Sequence, residues 1–327
     1  MYSKPTVCLL AGLWPFASAL AAQPDPGPGK YPDRPVRVVV PVAAGGGTDI
    51  IARIVMSKLS DHVGKSFVID NRSGAGGLLG NEVVARSQPD GYTLLFTYAA
   101  HTIVPFIYSR IPYDVHKDFV AVTMVGVQPL LLAAHPGVKA STVRELVGYA
   151  RANPGTLNVA LASSSSSGAL AAELFKMITT TQMTLIPFKG GGQAMTALIA
   201  GEVQLMFATP QVVIPYLKSG RVKVLGVTGK ERVSYLPDVA TLTEAGIKDL
   251  NTAPWQGLMA PAKTPPAIID YLYRQILEVL KTPYAQERFA AAGTDIVGSS
   301  PKQFGELIDR ELAQNSRVIR AVGMKAE

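Results

Sequence analysis

Short β-branched runs and helix-like stretches alternate along almost all of this 327-residue chain, and that alternation constrains the fold more than any single motif. From Val36 the order is "VRVVVP", a helical pattern over residues 49–63, "SFVID", a glycine-rich turn, a helix near 80–86 and "YTLLFTY". A second series runs "PLLLAAH", a helix over 141–153, "LNVALA", a helix over 168–180, "MTLIPF", a helix over 193–200, "VQLMF" and "VKVLGVT". Strands separated by helices pair through crossovers rather than hairpins, so each series is expected to form an α/β unit with a mostly parallel sheet flanked by helices. Beyond "WQGLMAP" come three helical patterns, 265–280, 283–292 and 301–322, each with proline in its first turn, where a missing N–H costs little. With little strand of its own, this tail is expected to pack on one of the two units.

With 48% hydrophobic and 17% charged residues the chain can bury a large core and is long enough for two domains. Its first stretch, "MYSKPTVCLLAGLWPFASALAAQ", sets a lysine before an apolar run and ends that run on Ala19-Leu20-Ala21, a small-x-small pattern. This reads as a secretory signal peptide over residues 1–22, cleaved near 21–22. A membrane anchor needs about 20 apolar residues, and Pro15 interrupts this shorter run. Residues 23–31, "QPDPGPGKY", read as a Pro/Gly linker. No later stretch reads as membrane-spanning. The single cysteine, Cys8, falls inside the leader, so the exported chain is expected to carry neither thiol nor disulfide. Cys8 also precedes most of the apolar run, the wrong place for lipid attachment.

The formal charge of +7 suits anionic ligands. Nucleic acid is set aside, because the lysines and arginines are scattered rather than clustered with stacking aromatics and the leader directs the chain outward.

In open parallel sheets, ligands bind beyond the carboxyl ends of strands, where backbone N–H groups and helix N-termini converge. Four loops hold that position: 43–49 ("AAGGGTD"), 98–102 ("YAAHT"), 163–168 ("SSSSSG") and 189–192 ("KGGG"). Glycine admits a ligand close to the backbone, and hydroxyls with helix N-terminal N–H groups hold an anion without a large fixed charge. The candidate ligand-binding residues are Ala44, Gly45, Gly46, Gly47, Thr48, Asp49, Tyr98, Ala99 and His101 from the first unit. From the second they are Ser164, Ser165, Ser166, Ser167, Gly168, Lys189, Gly190, Gly191 and Thr209. A carboxylate suits all four loops. Asp49 has two readings, the cap of its helix or a partner for an ammonium group.

Catalytic and cofactor motifs fail on spacing. Neither "AAGGGTD" nor "FKGGGQA" supplies the lysine and hydroxyl of a phosphate loop in order. "GAGGLLG", residues 74–80, follows a strand-like run, but its third glycine is one place late for a dinucleotide fingerprint; it reads as a helix-entry turn. No G-x-S-x-G elbow presents a nucleophile among the five serines. The histidines His62, His101, His116 and His135 show no H-x-H or H-E-x-x-H spacing. No metal site, no cofactor and no catalytic residue is therefore expected.

The chain resembles the Bug receptors, the extracytoplasmic solute-binding components of the tripartite tricarboxylate transporter group. The likeness is carried by "YPDRPVRVVVPVAAGGGTDIIAR", "VIDNRSGAGGLLGNEVVARSQPDGYTLL", "PFKGGGQAMTALIAGEVQLMF", "LKSGRVKVLGVTGKERVSYLPDVATLTEAGI" and "WQGLMAPAKTP". It implies a two-lobed periplasmic binding protein, with lobe 1 made of residues 32–127 plus 254–327, lobe 2 of 128–253, and the ligand cleft between them. It implies a location in the periplasm and capture of a small organic carboxylate by domain closure, for uptake through a tripartite-type permease. The resemblance also places the 43–49 and 163–168 loops on the carboxylate. A sensory receptor of the same build and an exported hydrolase are the alternatives. Three positions depart from the family pattern: Ala169 stands in place of a histidine, Phe188 in place of a tyrosine, and Ala208-Thr209 where an aspartate is common. These smaller or less polar groups suggest a ligand with an apolar body, such as an aromatic or halo-aromatic carboxylate.

Overall fold

The computed structural model describes residues 29–248, 250 and 252–324. The signal peptide, its cleavage point, Cys8 and most of the expected linker lie outside them. Tyr31, at the linker's end, belongs to the fold: it is buried, donates its hydroxyl to the Gly91 carbonyl at 2.8 Å and meets Tyr92 and Tyr271 edge-on.

The first part of the chain holds β1 (Val36–Val40), α1 (Gly47–Val63), β2 (Phe67–Asn71), α2 (Leu78–Ala85), β3 (Thr93–Tyr98) and β4 (Phe119–Val127). The middle holds β5 (Leu131–Ala134), α3 (Val143–Ala152), β6 (Asn158–Leu161), α4 (Ser167–Thr179), β7 (Thr184–Pro187), α5 (Gly191–Ala200), β8 (Leu205–Ala208), α6 (Pro210–Leu217) and β9 (Lys223–Val227). The tail adds β10 (Trp255–Pro261), α7 (Pro266–Lys281), α8 (Pro283–Ala291), β11 (Asp295–Ile296) and α9 (Pro301–Val322).

Two sheets result, a six-stranded one in the order β11-β4-β10-β3-β1-β2 and a five-stranded one in the order β7-β6-β8-β5-β9. Three neighbouring strands of each sheet pair in parallel, β3-β1-β2 in the first and β7-β6-β8 in the second. The strands that follow a passage between sheets, β5 and β10, enter antiparallel to their neighbours, so both sheets are mixed rather than uniformly parallel.

The continuous valine run of β1 is explained by burial on both faces. Val38 and Val40 pack with Ile51, Val55 and Leu59 of α1 and with Leu272 and Ile276 of α7. Val39 points to the opposite face, among Leu95, Met259 and the α9 residues Phe304, Ile308 and Leu312. The second sheet repeats the scheme: Leu132 and Val159 pack with Leu146 and Phe175 on one face, while Leu131 and Ala160 pack with Met195, Leu198 and Val213 on the other.

The chain passes between the sheets at residues 128–130 and 228–254. These passages are tied side by side. Gln128 N–H donates to the Pro254 carbonyl at 3.1 Å, Leu130 N–H to Thr228 Oγ1 at 2.8 Å, and the Thr228 hydroxyl to the Thr252 carbonyl at 2.6 Å. The far end of α9 adds a third link, since Ile319 and Met324 pack with the core of the second sheet.

Candidate functional site

The last residues of β3, β7 and β8 and the turns that follow β1, β2 and β6 face one cavity of ≈ 730 Å³. Four helices begin there: α1, α4, α5 and α6. Each turns the positive end of its dipole toward this space, and the first turns of α1, α4 and α5 bring their N–H groups to it, whereas α6 opens on Pro210, which has none, and spends its Val212 N–H on the Thr209 carbonyl. Local chemistry sets these turns. Ser166 caps α4 by accepting from Ala169 N–H at 3.1 Å, as a serine outside a helix does. The α1 start has no such cap on Gly46, and the Asp49 carboxylate instead reaches back to accept from Gly45 N–H at 2.9 Å. Helix α1 thus starts at Gly47, two residues before the expected start.

Lining residues from the expected set are Ala44, Gly46, Gly47, Thr48, Tyr98, Ser164, Ser166, Ser167, Gly168, Lys189, Gly190, Gly191 and Thr209. Five expected residues do not line it. Asp49 is buried, and its carboxylate is filled by Gly45 N–H, Arg53 Nε at 2.9 Å and Asn71 Nδ2 at 2.8 Å. Burial alone would raise its pKa; the bonds from Arg53, Gly45 and Asn71 outweigh burial and hold it below the usual carboxylate value. It therefore shapes the loop and, buried behind the cavity wall, does not face the space where an ammonium group would lie. Gly45 has φ +79° and spends its N–H on Asp49. Ala99 sits in the core beside Leu95 and Val104.

His101 is also absent from the cleft. Its ring is buried against Tyr113 and Phe119, with Nδ1 3.1 Å from Asn81 Nδ2. Burial pushes its pKa down to about 3, so it is neutral at any physiological pH. Ser165 is fully buried and points across the cleft at Gly76, where an added Cβ would stand 1.6 Å from its Oγ.

Of the three departures from the family pattern, Phe188 and Ala208-Thr209 line the cavity. Ala169 is buried in the core around α4 and says nothing about the ligand.

The turn after β2 belongs to the cavity as well, though it is not among the expected residues. Ser73, Gly74, Ala75, Gly76 and Gly77 all line the cavity. The signal was present, because this glycine run also follows the carboxyl end of a strand. Gln128, Leu130, Pro254, Trp255 and Gln256, from the passages between the sheets and the start of β10, were missed for a different reason: no strand-end rule points to them.

Lys189 is the only charged side chain among the lining residues, and apolar groups such as Leu130, Phe188, Met206, Val212 and Trp255 cover much of the wall. Three buried polar atoms on lining residues have no hydrogen-bond partner: Ser167 Oγ, Gln128 Nε2 and Gln256 Oε1. Such atoms are costly when left dry and mark where a solute or water belongs.

The two sides touch around the cavity through glycines. Besides Gly76 and Ser165, a Cβ on Gly47 would stand 2.5 Å from Thr209 Oγ1, and one on Gly293 2.6 Å from Pro210. The Tyr98 hydroxyl donates to the Gly76 carbonyl at 3.4 Å, completing that side of the wall. The arrangement is a cleft with donor-rich walls, lined by residues of both sheet units. No cluster of three or more metal-ligating side chains occurs among the described residues.

Residues 51–324 match the model of the tripartite tricarboxylate transporter family receptor. The chain is 35% identical over 297 residues to Protein BugT of Bordetella pertussis, covering 90% of this chain and 91% of that one. The structure of the periplasmic binding protein BugD superposes with a TM-score of 0.86 at 30% identity, over 91% of this chain and all of that one (100%). A protein of R. palustris with adipate superposes with a TM-score of 0.87 at 32% identity, over 91% and 100% of the two chains.

Proposed function

Since the chain belongs to the tripartite tricarboxylate transporter receptor family, we propose that it is a periplasmic receptor that captures a small organic carboxylate between its two sheet units. The observation that carries this reading is the convergence of four helix N-termini on one ≈ 730 Å³ cavity with a single cationic side chain, Lys189, on its wall. Dipoles and N–H groups solvate a carboxylate without a permanent counter-charge, so an empty cleft is not left with buried cations. The adipate bound to the R. palustris protein is a solute of this chemistry. Capture works by differential contact: a solute touching both sides stabilises the closed arrangement over an open one, and the closed form is what a membrane permease recognises.

The solute's body is apolar. Leu130, Phe188, Met206, Val212 and Trp255 offer it contact, and the lining contains no arginine to pair a second or third carboxylate. An aromatic or halo-aromatic carboxylate fits this wall. In this reading the serines of the 163–168 loop serve as cap and wall.

A thermal-shift panel of carboxylates on the mature chain tests the reading. A bound solute at a hundred times its Kd adds about 2.7 kcal/mol of stability. Benzoate-like or muconate-like acids are expected to give that response, and Thr48→Ala and Ser164→Ala to weaken it without unfolding the protein. A response confined to citrate, aspartate or glutamate would refute the apolar body. Unchanged affinity in both variants would refute the location of the site, and no response to any carboxylate would refute the receptor.

A further inference from the structure

Gln128 occupies the first passage between the sheets, directly after β4, and is fully buried while lining the cavity. Its Oε1 accepts from Gln211 Nε2 at 2.5 Å and from the Thr294 hydroxyl at 2.7 Å, and Gln211 Nε2 also donates to Thr294 Oγ1 at 2.6 Å. Gln211 lies in the first turn of α6, which follows β8 of the second sheet; Thr294 directly precedes β11 of the first. Both are buried, and neither lines the cavity. Two side chains, one from each unit, therefore donate to one acceptor oxygen on the passage between them. The other end of the same carboxamide, Nε2, has no partner, on a residue that faces the solute space.

Resting on the carboxylate-receptor reading, we propose that Gln128 is a specificity-determining residue that hydrogen-bonds the captured solute through Nε2 and ties it through Oε1 to Gln211 and Thr294. A solute acceptor at Nε2 satisfies the last dry donor of this joint and polarises the amide, which strengthens Oε1 as the shared acceptor. The solute thereby steadies the contact between the two units from inside. Gln211 and Thr294 are positioning residues, because they act only through Gln128.

The test compares Gln128→Met, Gln211→Met and Thr294→Val, each near in size to the native residue, using the same carboxylate panel with dissociation rates measured by stopped flow. Gln128→Met is expected to raise Kd about tenfold for the best solutes, the loss of one bond to a charged group, and to change the ranking of solutes. Gln211→Met and Thr294→Val are expected to speed dissociation by a common factor for every solute and keep the ranking. Melting temperatures without solute identify any variant that has failed to fold, and Thr294→Val then carries the joint and Gln128→Asn the contact. Wild-type binding with a Gln128→Met panel shifted by less than about twofold, or shifted by one common factor, overturns this proposal alone. Absence of any carboxylate response in the wild type overturns the receptor reading and this proposal with it.

Discussion

Contact between the two sides of the cleft depends on single residues, and Gly76 is the tightest. Its φ of +64° favours glycine, and the space where a Cβ would stand is filled by Ser165, Oγ at 1.6 Å and Cβ at 2.8 Å. Gly76→Ala is expected to hold the cleft ajar and raise Kd for the solute at least about tenfold, beyond the roughly 1 kcal/mol of backbone strain it adds. The double variant Gly76→Ala/Ser165→Gly keeps the strain and removes the obstruction, so titration calorimetry should find most of the affinity restored. If the double variant binds as weakly as the single, backbone strain rather than closure explains the loss. The same residues show where the sequence was legible. The 43–49 and 163–168 loops could be read, since a glycine or serine run after a strand announces itself. The fate of an individual side chain within a loop could not. Asp49 looks identical in sequence whether it faces a ligand or Gly45 N–H, and His101 turned inward because Asn81, Tyr113 and Phe119, distant in the chain, form its pocket.

Among the elements, α9 best separates local from long-range information. Its span was readable to the residue from Pro301 and the apolar period, and Ser300 with Gln303 supplies a full capping box. Its apolar period alone does not say what it packs against, because that depends on sheet order: β11 and β4 place Phe304 and Ile308 under the first sheet, and Ile319 reaches the second core. Strand direction was hidden for the same reason, since β5 and β10 run antiparallel only because the chain arrives from the other sheet. The α9 residue Glu311 accepts from Trp255 Nε1 and from the Thr102 hydroxyl, both at 2.8 Å, and so joins the helix to a residue of the cavity wall. Burial raises its pKa above the ordinary 4.5 despite those two bonds. A raised acid pKa means that the folded state holds the proton more firmly than the unfolded one. Its contribution to stability is fully present below 4.5 and is lost as pH rises through the folded value. Glu311→Gln keeps an acceptor for Trp255 and Thr102 but removes the titration. Denaturant unfolding between about pH 5 and about pH 8 should therefore show the variant gaining on the wild type as pH rises. A difference that stays constant across that range would mean Glu311 does not titrate there.

At the scale of the whole molecule, capture and closure should be one thermodynamic event. The cavity is bounded by both units, and its apolar wall draws on each: Trp255 from the first sheet, and Phe188, Met206 and Val212 from the elements of the second. Closing around a solute removes apolar surface from water at the solute and along the glycine-lined seams, and burial of apolar surface lowers the heat capacity. Calorimetric titration at several temperatures should therefore give a clearly negative ΔCp for the wild type. Gly76→Ala, able to hold the solute on one side but kept from full closure by Ser165, should bind with a ΔCp of smaller magnitude. The contrast separates two contributions that affinity alone mixes: contact with the solute, which both proteins retain in part, and contact between the units, which only the wild type completes. Equal ΔCp in the two proteins would mean that the seams are already dry before the solute arrives. The closed arrangement would then be the resting state, and the solute would enter by a transient opening rather than drive a closure.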